Sequence, residues 1–258
     1  MNSFPSSGSA PKATKKANIS FVIFMLALTG LFAYLGNWQM HRLAQKEAML
    51  SAVAQRINLP PIGLPPLDEW VGFDAETYNF RPLKVTGTFD HSKTIRVFTS
   101  LVDANGPYSG PGYWVVAPLM LDQGGIVFVN RGFIPEDSAA RFETGGAGPT
   151  GEVTIEGIGR ASEKTNSFTP GADFENKIEW VRNIDRLSEF MPDNTLPVAP
   201  IYIDEISTQT GALPQGGETK LTIVNRHFEY ALTWFSLALL TPIMLVFWWW
   251  RSSRQTNS

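Results

Sequence analysis

Asn225-Arg226-His227-Phe228-Glu229 runs straight into Tyr230-Ala231-Leu232-Thr233-Trp234-Phe235 and on to Trp250. Residues 230–250 hold no Asp, Glu, Lys or Arg. At about 1.5 Å of rise per residue the run makes roughly 31 Å of helix, enough to cross a hydrocarbon core. It closes on Trp248, Trp249 and Trp250, then Arg251 and Arg254: an aromatic belt followed by a cationic stop. His227, one of three histidines in the chain, stands at the other end. An imidazole at the mouth of a membrane helix is either a ligand for something that lives in the bilayer or a solvated residue at a helix cap. Position alone leaves both readings open.

Outward from this helix, a second apolar run lies near the other end of the chain. Residues 17–40 carry no charged side chain and are densely apolar from Ile19 to Leu35. The length of that core, and the absence of a small-x-small cleavage site after it, predict a retained anchor rather than a signal peptide. The expected division is a disordered tail at 1–18, a membrane helix at 19–40, a central domain at 41–226, a second membrane helix at 230–250 and a short tail at 251–258. Residues 43–226 hold 23 of the 24 acidic and 15 of the 21 basic residues, a net charge of −8, while both tails are basic. The positive-inside rule then puts both termini in the cytoplasm and the central domain outside, in the periplasm of a bacterial inner (cell) membrane protein. A mitochondrial inner membrane is the alternative; the short N-terminal tail without arginine favours the bacterial one.

The overall charge of −3 argues against a nucleic-acid partner. With no cysteine, the chain has no disulfide, thiolate metal site or thiol nucleophile. Leu59-Pro60-Pro61-Ile62-Gly63-Leu64-Pro65-Pro66 ends the helical reach beyond the first span, because prolines lack donors and fix φ. After Phe80 the pattern is one of short strands separated by turn residues: 83–89, 94–99, 113–121, 126–131, 153–160 and 201–204, with a further strand suggested at 180–182. Asp122-Gln123-Gly124-Gly125 marks the clearest hairpin, and 184–191 is the one convincing short helix. These elements predict two transmembrane α-helices flanking a β-rich domain, an antiparallel barrel or sandwich. The acidic pairs Asp68-Glu69, Glu136-Asp137 and Asp204-Glu205 read as solvated surface. Asp90-His91 reads as a turn cap rather than a catalytic dyad, and no nucleophile motif accompanies it.

Four motifs in order resemble the Surf family, the surfeit locus protein 1 assembly factors of cytochrome c oxidase. Leu35-Gly36-Asn37-Trp38-Gln39-Met40-His41-Arg42, with Lys46, is similar to the family's LGxWQxxR…K element. Tyr78 to Asp90 is similar to its first long strand. Val129-Asn130-Arg131-Gly132-Phe133-Ile134-Pro135 is similar to its VNRGW hallmark, with Phe133 in place of tryptophan. Asn225 to Phe235 is similar to the opening of its last helix, with Arg226 where asparagine is common. The resemblance implies a non-enzymatic membrane factor that helps place haem a in subunit I of cytochrome c oxidase, receiving it from the haem A synthase. It also implies haem a held through His227.

A non-covalent haem needs an imidazole nitrogen, an apolar wall and cations for its propionates. Helical spacing puts Tyr230 and Trp234 on the face of His227, and Trp38 and Arg42 one turn apart on the first span. Those four are the expected helpers of a His227 haem-iron site. Arg42 is alternatively an interfacial residue meeting membrane lipid phosphate, and Trp38 and Trp234 interface anchors. His41 is the rival ligand, expected to turn outward, with Arg42 toward the partner helix. Arg131 is expected to pin the hairpin to an acidic partner, and Gly132 to need a backbone shape that a Cβ obstructs.

Overall fold

The computed structural model describes residues 15–206, 211–219 and 226–255. Asn225 and most of the predicted tail lie outside them. Along the chain come α1 (Lys15–Ile57), α2 (Ala75–Tyr78), β1 (Pro82–Phe89), β2 (Ile95–Leu101), β3 (Gly110–Leu121) and β4 (Ile126–Pro135). Then follow β5 (Glu152–Arg160), β6 (Ile178–Glu179), α3 (Ile184–Ser188), β7 (Val198–Glu205) and α4 (His227–Gln255). The chain divides into two compact units, Met1–Ser51 with Thr222–Ser258, and Ala52–Leu221.

In the first unit α1 and α4 are the two candidate membrane spans, with mean hydropathies of 2.1 and 1.8 over their most apolar stretches. Only 11% of each stretch is buried, so their apolar side chains face outward, as lipid-exposed helices require. Their buried and half-buried residues recur every three or four positions: Met25, Thr29, Phe32, Gly36 and Gln39 on α1; Ala231, Trp234, Ala238 and Thr241 on α4. This is the seam of two antiparallel helices packed side by side. Phe32 stacks on Trp234, and Phe21 meets Trp248 further along. The first helix continues to Ile57, beyond the expected 43–49 extension, and stops just before Pro60 and Pro61.

In the second unit the strands pair in the order β1-β5-β7-β4-β3-β2-β6, and β1 also pairs with β3. Strands β1, β5, β7, β4 and β3 therefore close a ring of five, a small mixed barrel. Alternation along each strand fills it. Leu119, Val127, Val129, Ile201 and Ile203 point into one core, while Trp114, Phe128 and Tyr202 join a second core with Ile184 and Leu187 of α3. The β-rich domain between two apolar spans is as expected, but its sheet is mixed. β4 and β7 run parallel because the chain between them passes through β5 and α3 before re-entering the ring, and β2 and β6 are parallel as well. The strand suggested at 180–182 is instead the two-residue β6, bonded to Arg96 and Val97. The proline-rich segment bridges at Ile62 to Leu83, covering part of the β1 edge that β3 leaves open.

Candidate functional site

The helix hairpin carries the first candidate site at the N-terminal end of α4. His227 is the first residue of α4, and its Nδ1 lies 2.7 Å from Oε1 of Gln39 on α1. Gln39 is buried, a polar amide within the uncharged first span. A carboxamide oxygen only accepts, so with the amide oriented this way Nδ1 is the donor of the pair. One turn away, before Gln39 on α1 and after His227 on α4, Gly36 and Ala231 are small and buried. A Cβ on Gly36 would lie 2.7 Å from the Phe235 ring, so the glycine is what lets the helices close at this level.

The expected site residues divide into two groups. His227 and Trp234 lie on the seam, with Trp234 stacked on Phe32 at 5.8 Å between ring centroids. Trp38, Arg42 and Tyr230 do not reach it and are exposed. At 100° per residue, Trp38 and Arg42 turn to one side of α1, and Tyr230 turns to that same side of α4. Phe235 and Gly36 close the opposite side. Arg42 donates to Gln45 of its own helix at 3.0 Å, so it does not face α4. His41 is exposed, two residues and about 200° around α1 from Gln39. One imidazole beside a polar partner, with a lateral face carrying Trp38, Tyr230 and a cation, supplies the donor set that a haem held by a single histidine would use. It does not make a bis-histidine cage. The partner that reaches His227 across the seam is Gln39, which spacing from His227 alone did not select.

The central domain holds a second cluster, of charged groups set among aromatic rings. Arg182 lies between the rings of Trp114 and Tyr202, at 5.1 and 5.4 Å from their centroids. Its Nε donates to Glu163 at 3.0 Å and its Nη1 to Asp204 at 3.3 Å. Asp204 also accepts from Asn130 Nδ2 at 2.8 Å and Thr219 Oγ1 at 3.0 Å, and pairs with Arg160. Burial works against the Arg182 charge, but Asp204 and then Tyr202 and Glu163 outweigh it and hold the guanidinium above its ordinary range. Glu163 resists the pull of its own burial because of Arg182 and lies below the usual carboxylate range. Asp204-Glu205 is thus not solvated surface. Asp204 is 4% exposed and ties β7 to β4, β5 and the segment at 211–219. A buried carboxylate needs such pairing, and breaking one partner leaves an uncompensated charge.

Among the described residues, Arg131 meets no carboxylate in a bidentate pair. Its Nη1 donates to the Gly145 carbonyl at 2.7 Å and its guanidinium packs 5.6 Å from the Phe89 ring centroid. Burial pulls its pKa down, with only Glu205 opposing. Asp90 caps Ser92, while His91 bonds the Pro149 carbonyl at 2.8 Å, so no Asp-His dyad forms. Burial pushes the Glu205 carboxyl up to about 7, against the pull of Arg131. The fold therefore favours the protonated acid, a contribution present below the ordinary value of 4.5 and lost as pH rises through about 7. The urea midpoint of the central domain, followed by tryptophan fluorescence on the detergent-solubilised chain, should fall between about pH 5 and about pH 8. Glu205→Gln should flatten that slope and add about 1–3 kcal/mol at the upper pH, after discounting for partial exposure. Parallel pH profiles for the two proteins would contradict this assignment.

The SURF1 family model matches residues 26–239. Surfeit locus protein 1 of Rattus norvegicus is 31% identical over 254 residues, 93% of this chain and 79% of that protein. The Homo sapiens protein of the same name is 31% identical over 256 residues, 93% and 81% of the two chains. A SURF1-like protein of Monosiga brevicollis is 30% identical over 226 residues, 83% and 81%. The matched region begins before Gln39, takes in the whole barrel and ends beyond His227 and Trp234: the chain belongs to the SURF1 family.

Proposed function

We propose that the protein is a non-enzymatic assembly factor of cytochrome c oxidase that carries haem a, held through His227, to subunit I. The observation that carries this reading is the 2.7 Å contact between Gln39 Oε1 and His227 Nδ1. Fixing one ring nitrogen of a histidine by an acceptor is how proteins orient the other nitrogen toward a metal. Haem a is cargo here, supplied by the haem A synthase and surrendered to the oxidase. A single imidazole at the boundary of the charge-free run suits such exchange better than two axial ligands would. The side of the hairpin bearing Trp38, Arg42 and Tyr230 is open to lipid, so an amphiphilic cargo reaches His227 laterally, with Arg42 as the cation for its propionates. The family and the two spans support a membrane location; the basic tails and acidic middle favour termini inside and the barrel outside, periplasmic in a bacterial inner membrane and facing the oxidase.

A haem-free scaffold is the second reading, and the exposure of Trp38, Arg42 and Tyr230 favours it, since none of them encloses a pocket. Protein purified from cells that make haem a decides between them. The carrier shows a haem a Soret band at close to one haem per chain. A scaffold co-purifies with subunit I and shows no haem at full membrane yield.

A further inference from the structure

The geometry points to Gln39 as the positioning residue of this site: it holds the His227 ring in its Nδ1–H form, so that Nε2 is the nitrogen offered to iron. The metal half of this inference rests on the haem reading; the tautomer half stands on the geometry alone. Gln39 is 9% exposed in a run of 24 residues without a charged side chain. An amide buried there without a partner is strongly disfavoured, because it gives up its bonds to water for nothing. A leucine would fill the same seam position at no such cost. What a glutamine adds is an acceptor, and at 2.7 Å that acceptor meets His227 Nδ1. Gly36 lies one turn before Gln39, and Ala231 one turn after His227 is 1% exposed. These small residues lock the two helices at the level where the acceptor meets the ring. The choice of a neutral amide has a consequence for release. A carboxylate in its place would draw the Nδ1 proton, raise the basicity of Nε2 and tighten the iron bond, whereas the amide fixes orientation and leaves the ligand weak enough to let go.

The test uses the full chain in lipid nanodiscs with 15N-labelled histidine, the His227 signals being assigned by their loss in His227→Ala. At a pH where the ring is neutral, the unloaded wild-type protein should show His227 protonated at Nδ1. Gln39→Leu should release it into a mixture rich in the Nε2–H form and weaken haem a binding by about 10–100-fold. Gln39→Glu should keep Nδ1–H and lower the reduction potential of bound haem a relative to wild type, a change that mere helix packing does not produce. Should the leucine variant fail to insert, the glutamate variant alone carries the test. A wild-type His227 protonated at Nε2, or a tautomer unchanged in Gln39→Leu, overturns the positioning role. A tautomer that follows Gln39 in a protein that takes up no haem a upholds the positioning and removes the haem reading instead.

Discussion

Gly132→Val is expected to lower the cellular level of the protein severalfold and to loosen the segment at 211–219 in whatever survives. Gly132 has φ of +131°, which a β-branched residue avoids. Space is equally closed to it: a Cβ there would lie 2.4 Å from the Gln215 carbonyl carbon and 2.6 Å from the Gly216 nitrogen. Those atoms cannot retreat cheaply. Phe133 and Gln215 exchange two backbone hydrogen bonds of 2.8 Å, and the Gln215 side chain bonds both backbone groups of Tyr108 at 2.9 Å. Glu218, bonded to Gln215 Nε2, accepts the backbone N–H groups of Asn105 and Gly106. Moving this segment aside breaks the lacing that joins β4 to the β2–β3 connection. Backbone strain alone costs on the order of 1–3 kcal/mol, and the lost bonds add to it, against a total stability of about 5–15 kcal/mol. Hydrogen exchange should show early opening at 211–219, with haem a binding retained by the surviving fraction. Normal abundance with unchanged protection there would refute the constraint.

Much of this was legible from residue order, and the reasons are local. Charge-free runs of membrane-spanning length fixed both spans, because lipid admits few other solutions. Gly and Asp turns between β-branched runs marked β1 to β5 and β7 to within a few residues. Gly132 was legible too, since a glycine after Asn130-Arg131 at a strand end asks for a shape other residues resist. What escaped depends on residues far apart in the chain. The parallel β4–β7 pair arises from a crossover of more than sixty residues, which no local pattern announces. Asp204 looked like surface because an Asp-Glu pair usually is. Its burial needs Arg182, Arg160 and Asn130, brought from three separate elements. Arg42 looked placed toward α4 because spacing defines a face only relative to a chosen residue, and the seam runs through Gln39 instead. That glutamine belongs to the LGxWQ-like element, but its partner 188 positions away meets it only in the folded hairpin.

His227→Ala is expected to remove bound haem a while leaving the protein in the membrane. Insertion depends on residues 230–250, whose apolar side chains the substitution does not touch. The local cost includes the hydrogen bond to Gln39 and the amide left behind by it, about 1–3 kcal/mol, which a two-helix seam with the aromatic contacts Phe32–Trp234 and Phe21–Trp248 tolerates. Haem a, by contrast, loses its iron ligand, so affinity should fall by more than the roughly 10–100-fold that removal of a supporting group costs. Oxidase assembly should fall with it. His41→Ala is the control, because His41 is exposed on the side of α1 turned away from Gln39. The most direct measurement is the absorption spectrum of wild type, His41→Ala and His227→Ala, purified at matched yield from cells that make haem a. The carrier account predicts a haem a Soret band in the first two and its loss in the third. A band that survives in His227→Ala, or that is absent from wild type, would contradict it.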